Sequence, residues 1–238
     1  MLASRALPRQ TGASMATTIA RRQALLTAIF PVAALSLLNG FYKLPLHRIG
    51  PAWYWLADAF QFVLVPILCA WFVLRPAGID GRALGLQRER YALHASWGAA
   101  LFAAFAVVLV TWPVCRIASG YGWQYADELP QVLPAAWAPR LLVAFYMAVT
   151  AALVEEVAFR ALPWLYVREV LAPRWRKPVY LVGSTFLFAM IHAEQGPAGV
   201  LAAGWFGWLA AVIYLRYGTL WPALLAHFTL DFLIFGPW

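Results

Sequence analysis

The chain has 238 residues, 63% of them hydrophobic and 12% charged, with a mean hydropathy of +0.70, against roughly 45–50% apolar and 25% charged in a soluble domain. That composition excludes a water-soluble globule and makes lipid the solvent. The formal charge of +8 does not point to nucleic acid, because the basic residues fall in the gaps between apolar runs, where they set orientation in a bilayer.

A helix needs about 20 apolar residues to cross a hydrocarbon layer of about 30 Å. Seven runs approach this, at about 24–42, 52–74, 95–114, 141–165, 179–193, 198–215 and 219–235. The expected fold is therefore all-α, a polytopic bundle of about seven membrane-spanning helices. A cytoplasmic N-terminal tail is expected over 1–23 and a single transmembrane domain over 24–238. The first run, behind Arg21 and Arg22, also fits a signal peptide, but no small-x-small cleavage site follows before "NGFYKLP", so a span is expected.

Thirteen basic residues lie in the N-terminal tail and in alternate gaps, among them Arg75, Arg82, Arg168, Arg174 and Arg216. The other gaps hold only four, Lys43, Arg48, Arg116 and Arg140. The positive-inside rule then puts the N-terminus in the cytoplasm and Trp238 outside, in the cell (inner) membrane. Cys69 lies within the second run and Cys115 at the end of the third, which indicates neither a disulfide framework nor a thiolate cluster. The longest connection, about 115–140, contains "GYGWQYADELP" and is expected outside, over an interface or an entrance.

The fourth run carries "LVEEVAFRALPW", with Glu155, Glu156 and Arg160 in an otherwise apolar helix. A charge at mid-bilayer costs about 2.5–3.5 kcal/mol on insertion scales, and each large aliphatic residue offsets only about 0.3–0.6. The three must face the interior. Glu156 and Arg160, one turn apart, can pair, and a structural ion pair between helices accounts for them alone. Glu155 points about 100° away and is left over, so it is placed to act as a base. The fifth run ends in "TFLFAMIHAEQG", where His192 is either an interhelical hydrogen bonder or a catalyst, and Phe188, one turn before it, packs. In the seventh, "LAHFTLDFLIF", His227 and Asp231 are one turn apart and can share a cavity or hydrogen-bond each other. His47 and His94 fall near the membrane edges without a partner at helical spacing.

At about 1.5 Å per residue, Glu155 and His192 lie about 21 Å from their cytoplasmic helix ends, Asp231 about 20 Å and His227 about 14 Å. Buried ionisable groups at compatible depth on three segments are expected to line one hollow. Two carboxylates and two histidines in such a hollow suit activation of water, hence hydrolysis. No serine or cysteine has a base at a helical offset, and no G-x-S-x-G is present, which argues against an acyl-enzyme. Glu155, His192 and His227 would also make a three-ligand zinc site with an open position. H-E-x-x-H is absent, so the residues alone do not choose between the two schemes.

"EEVAFR", "FAMIH" and "HFTLD" resemble, in order and spacing, the E-E-x-x-x-R, F-x-x-x-H and H-x-x-x-[ND] motifs of the CPBP family. These are CAAX prenyl protease 2 and bacteriocin-processing proteins, also called Abi. The resemblance covers 150–235, with a catalytic core at about 141–235, and implies an intramembrane glutamic-type endopeptidase. Glu155 would be the base on water, Glu156 and Arg160 its orienting and structural partners, and His192, His227 and Asp231 the rest of the pocket. Asp231 stands where asparagine is common, and its implied task is to hold His227. The resemblance implies no metal, with zinc on Glu155, His192 and His227 as the alternative. The implied substrate is a membrane-embedded or lipid-modified peptide in contact with membrane lipids. Prenylated C-termini are the eukaryotic substrates, whereas bacterial relatives act on leaders, sorting tails and other membrane peptides.

A rival reading is a membrane transporter or bacteriocin self-immunity protein that uses the buried charges for proton relay or binding. Transporters usually repeat interrupted helices in both halves, whereas here the charged helices are read in the C-terminal half. A structural bundle with inert ion pairs is the third reading.

Overall fold

The computed structural model of the chain describes residues 12–87, 95–120 and 132–238. The "YGWQYADELP" stretch, Arg88, Arg90 and His94 lie outside the described residues, so the expectations placed on them have no structural counterpart here. The described residues are helical, without strands. In chain order the helices are α1 (Gly12–Leu37), α2 (Asn39–Ile49), α3 (Pro51–Leu74), α4 (Ala95–Gly120), α5 (Trp137–Val170), α6 (Pro173–Met190), α7 (Gly196–Tyr217) and α8 (Trp221–Phe235).

Each of the seven apolar runs falls on a helix, but the expected count of crossings is not matched. Among the described residues three helices are long and apolar enough to cross a membrane, Pro51–Leu74, Trp137–Val170 and Ala193–Tyr217, with a fourth if the pair Thr17–Leu37 and Asn39–Ile49, bent by 57°, is one broken span. Two of the other helices fall short of a full apolar span. α8 has only 15 residues, and α6 spends its first turns on Arg174, Arg176 and Lys177. The tail expected over 1–23 is helical from Gly12 onward.

Lipid as solvent shows in where the apolar side chains sit. Phe30, Phe41, Phe72, Phe102, Leu142, Val182 and Leu201, one on each of α1 to α7, are all more than two-thirds exposed, up to 75% at Phe30. The charges of Glu156 and Arg160 are at 0%. A water-soluble monomer rarely shows large apolar side chains on so many elements at once. α8 differs, because none of its residues is in the exposed class. It packs on α5 and α4, while α7 packs on α6 and α4.

Close packing without a hydrophobic drive needs small residues at the contacts. α7 provides them with Gly199, Ala203, Gly207, Ala210 and Ala211, all buried. A Cβ on Gly207 would come within 3.2 Å of the Phe188 ring. At one end of the bundle Gly218 takes a left-handed conformation, φ +67°, which ends α7 and lets the chain return as α8. The turn is held from outside, since Leu220 N–H and the Thr219 hydroxyl both donate to Gly85 O. At that end Arg21 also pairs with Glu169 at 2.6 Å, joining α1 to the last turn of α5.

α5 is not uniform. A π turn covers Val157–Ala161, directly after Glu156, and Pro163 follows it. Proline has no N–H for the carbonyl four residues back, which is Phe159 O, and in lipid an orphaned carbonyl is costly. The Ser184 hydroxyl of α6 donates to that carbonyl instead. Replacing Ser184 by Ala is expected to lower unfolding stability by about 1 kcal/mol, read from denaturant unfolding in detergent micelles, while Thr185→Ala serves as the neighbouring control.

Candidate active site

The stretch of α5 before its π turn, Trp137–Glu156, packs against α8. Glu156 lies between two partners: one oxygen accepts from His227 Nδ1 at 2.9 Å, and the other lies 3.2 Å from Arg160 Nε. The arginine contact is not aligned as a hydrogen bond, so it is Coulombic. The guanidinium lies over the Phe188 ring, 4.1 Å from its centroid, a cation–π contact available to a planar cation in a dry site. Pairing of Glu156 with Arg160 thus appears as expected, but the same carboxylate also reaches a second helix.

With Nδ1–H committed to Glu156, His227 turns Nε2 toward two further carboxylates. Asp231 Oδ2 is 3.5 Å away and Glu155 Oε2 3.8 Å. The nearest anchor of His227 is therefore Glu156 and not Asp231. His192, at the end of α6, donates from Nδ1 to Phe188 O at 2.8 Å, because a carbonyl can only accept; Nε2 is then its position for chemistry. Its ring is 4.8 Å from that of Phe188, which is 5.7 Å from that of His227.

Glu155, His192, His227 and Asp231 line one cavity of about 420 Å³, while Glu156 and Arg160 lie behind its wall. The six residues singled out in the sequence are thus assembled as four at the cavity and two in support. Among the described residues no three His, Cys, Asp or Glu side chains, Glu155, His192 and His227 included, are grouped closely enough to hold an ion as they stand.

The opposite wall was not foreseen. Lys43 of α2, counted above as a loop charge, is buried and pairs with Asp58 of α3 at 2.6 Å. Tyr146 of α5 donates to the other Asp58 oxygen at 2.9 Å. Gln61 donates to Ser36 and accepts from Tyr42. Asp58 and Gln61 lie inside the second apolar run and could have been found by the rule that singled out Glu155; Lys43, close to a run end, gave no such signal. Buried charge is therefore not confined to the C-terminal half, which corrects the premise used above against a transporter. Without Lys43 the charge count over the connecting segments becomes thirteen against three, and its sense is unchanged.

A helical membrane protein with a buried carboxylate–histidine cavity is the class that fold and site define. Residues 135–233 match the family model of Rce1-like proteins, type II CAAX prenyl endopeptidases. The match spans α5 to α8 and all three motifs, and it agrees with the resemblance read from the sequence. It leaves out α1 to α4. No curated protein and no solved structure matches the chain.

Breaking a buried pair by removing one partner typically costs about 3–5 kcal/mol, more than replacing both. Arg160→Met is accordingly expected to destabilise by that order, and Glu156→Gln with Arg160→Met by less, as measured by thermal unfolding in micelles. A loss in the double variant equal to the sum of the Glu156→Gln and Arg160→Met losses would mean that the pair carries no mutual stabilisation.

Proposed function

We propose that the protein is an intramembrane endopeptidase that hydrolyses a peptide bond of a membrane-associated or lipid-modified substrate with water activated by Glu155. The observation that carries this reading is the convergence of Glu155, His227 and Asp231 on one cavity within the stretch that matches the endopeptidase family.

In the proposed reaction the Glu155 carboxylate takes a proton from water as the hydroxide oxygen adds to the scissile carbonyl. The oxyanion is stabilised by His227, which in its protonated form donates from Nε2 because Nδ1–H is held by Glu156. His192 is the second group at this position. As the tetrahedral species collapses, the C–N bond breaks and Glu155 passes its proton to the leaving nitrogen. Glu156 and Arg160 keep His227 in register, and Asp231 borders the water. The water-activating scheme is proposed without a resident metal, since the donor set is not gathered around a point. Seven crossings in the cell membrane with a cytoplasmic N-terminus remain our topology.

Glu155→Gln keeps size and hydrogen bonding but cannot take a proton, so cleavage of a membrane tail peptide in proteoliposomes should fall by about 10²–10⁴-fold with expression intact. Unchanged cleavage would remove Glu155 from the reaction. Wild-type protein freed of metal with a chelator is expected to keep its activity and to contain no stoichiometric zinc. Loss on chelation that is restored by zinc would move water activation to a metal held by Glu155, His192 and His227.

The buried Lys43–Asp58 pair supports a second reading, a transporter or self-immunity protein, because ionisable groups in both halves can carry protons across. Proton flux into liposomes that persists in Glu155→Gln while no peptide is cut would favour it.

A further inference from the structure

α1 ends at Leu37, and the chain bends by 57° before α2 begins at Asn39. A helix start leaves backbone N–H groups without intrahelical acceptors, and Leu38 at the cap offers no side-chain acceptor. Inside a membrane such donors need a partner. The partner comes from a distant element. Glu194, in the short 3₁₀ turn Ala193–Gln195 after α6, accepts from Gly40 N–H with one oxygen and from Asn39 Nδ2 at 3.0 Å with the other. A carboxylate is also the charge that the positive end of a helix favours.

Glu194 is two residues beyond His192 and belongs to the same turn. Gln195 N–H donates to His192 O at 3.0 Å and His192 N–H to Ala189 O at 3.1 Å, so the turn moves with the histidine. Gly40 leaves room for the approach, because a Cβ there would meet the Glu194 carboxylate. Asn39, Lys43 and Glu194 all border the cavity.

We infer that Glu194 is a positioning residue for His192, which it fixes by docking the turn after α6 on the start of α2, so that the N-terminal helices outside the family match complete the site. This rests on the endopeptidase reading only where kcat is the readout. The turn that carries His192 should shift when this carboxylate is removed, and a displacement of about 1 Å can cost about 10²-fold in rate.

The test uses the full chain in lipid, with ¹⁵N-labelled histidine and His192→Gln to assign the His192 ring signals. Glu194→Ala, and independently Gly40→Ala, should shift or broaden the His192 signals and leave those of His227 in place. In a preparation whose wild type cleaves a tail peptide, both should lower kcat about 10–100-fold with KM within about threefold, and Glu194→Gln, which keeps an acceptor, should recover most of the loss. Unmoved His192 signals would overturn the inference, as would equal displacement of both histidines, which marks general loosening. Should Glu155→Gln cleave as well as wild type, the endopeptidase reading fails while the ring signals still decide the role of Glu194.

Discussion

Much of this molecule depends on one carboxylate that faces an arginine on its own helix and a histidine on another. Taking a charge out of water costs several kcal/mol even after relaxation, and Glu156 has 0% exposure. It is tolerated because Arg160, on its own helix, offsets the charge while His227, on α8, supplies a directed hydrogen bond. The first contact sets a positive charge against the carboxylate within α5. The second fixes α8 against α5 and sets which imidazole nitrogen faces the cavity. Glu155, about 100° further round the helix, reaches the cavity because its neighbour is turned away from it.

The bundle divides by role. α5 to α8 hold the carboxylates and imidazoles, and the π turn at Val157–Ala161 sits where such turns often occur, beside functional groups. α2 and α3 bring a second set of buried polar groups to the far side of the same cavity, tied to α5 through Tyr146 and Asp58. The cavity is lined by charged and polar groups from both halves of the chain and by the apolar side chains of Phe62, Trp112, Ile191 and Phe206. The polar groups give direction, and the apolar surface gives area.

Composition and the mid-membrane charge cost were enough to read the helical class and the six clustered residues, because both arguments use the local chain alone. What stayed hidden needed partners far apart in sequence. The Lys43–Asp58 pair and the docking of Glu194 on Gly40 join segments whose separation carries no periodic signal. Asp58 is a different matter, since it interrupts an apolar run as plainly as Glu155 does. The apolar helices were legible from hydropathy, whereas how many of them cross the membrane also depends on their length. His227 was paired by spacing with Asp231, its helical neighbour, although the shorter contact is to Glu156 on another helix.

Phe188 has no titratable atom, yet it touches most of those that matter. Its carbonyl holds His192, its face carries Arg160, Phe159 meets it edge-on, and Gly207 closes against it. The ring therefore works as a spacer of fixed thickness between a guanidinium and two imidazoles. A smaller residue would bring a cation and two bases into mutual reach, and a larger one has no room against α7, so the inert residue sets the distances over which the reactive ones act.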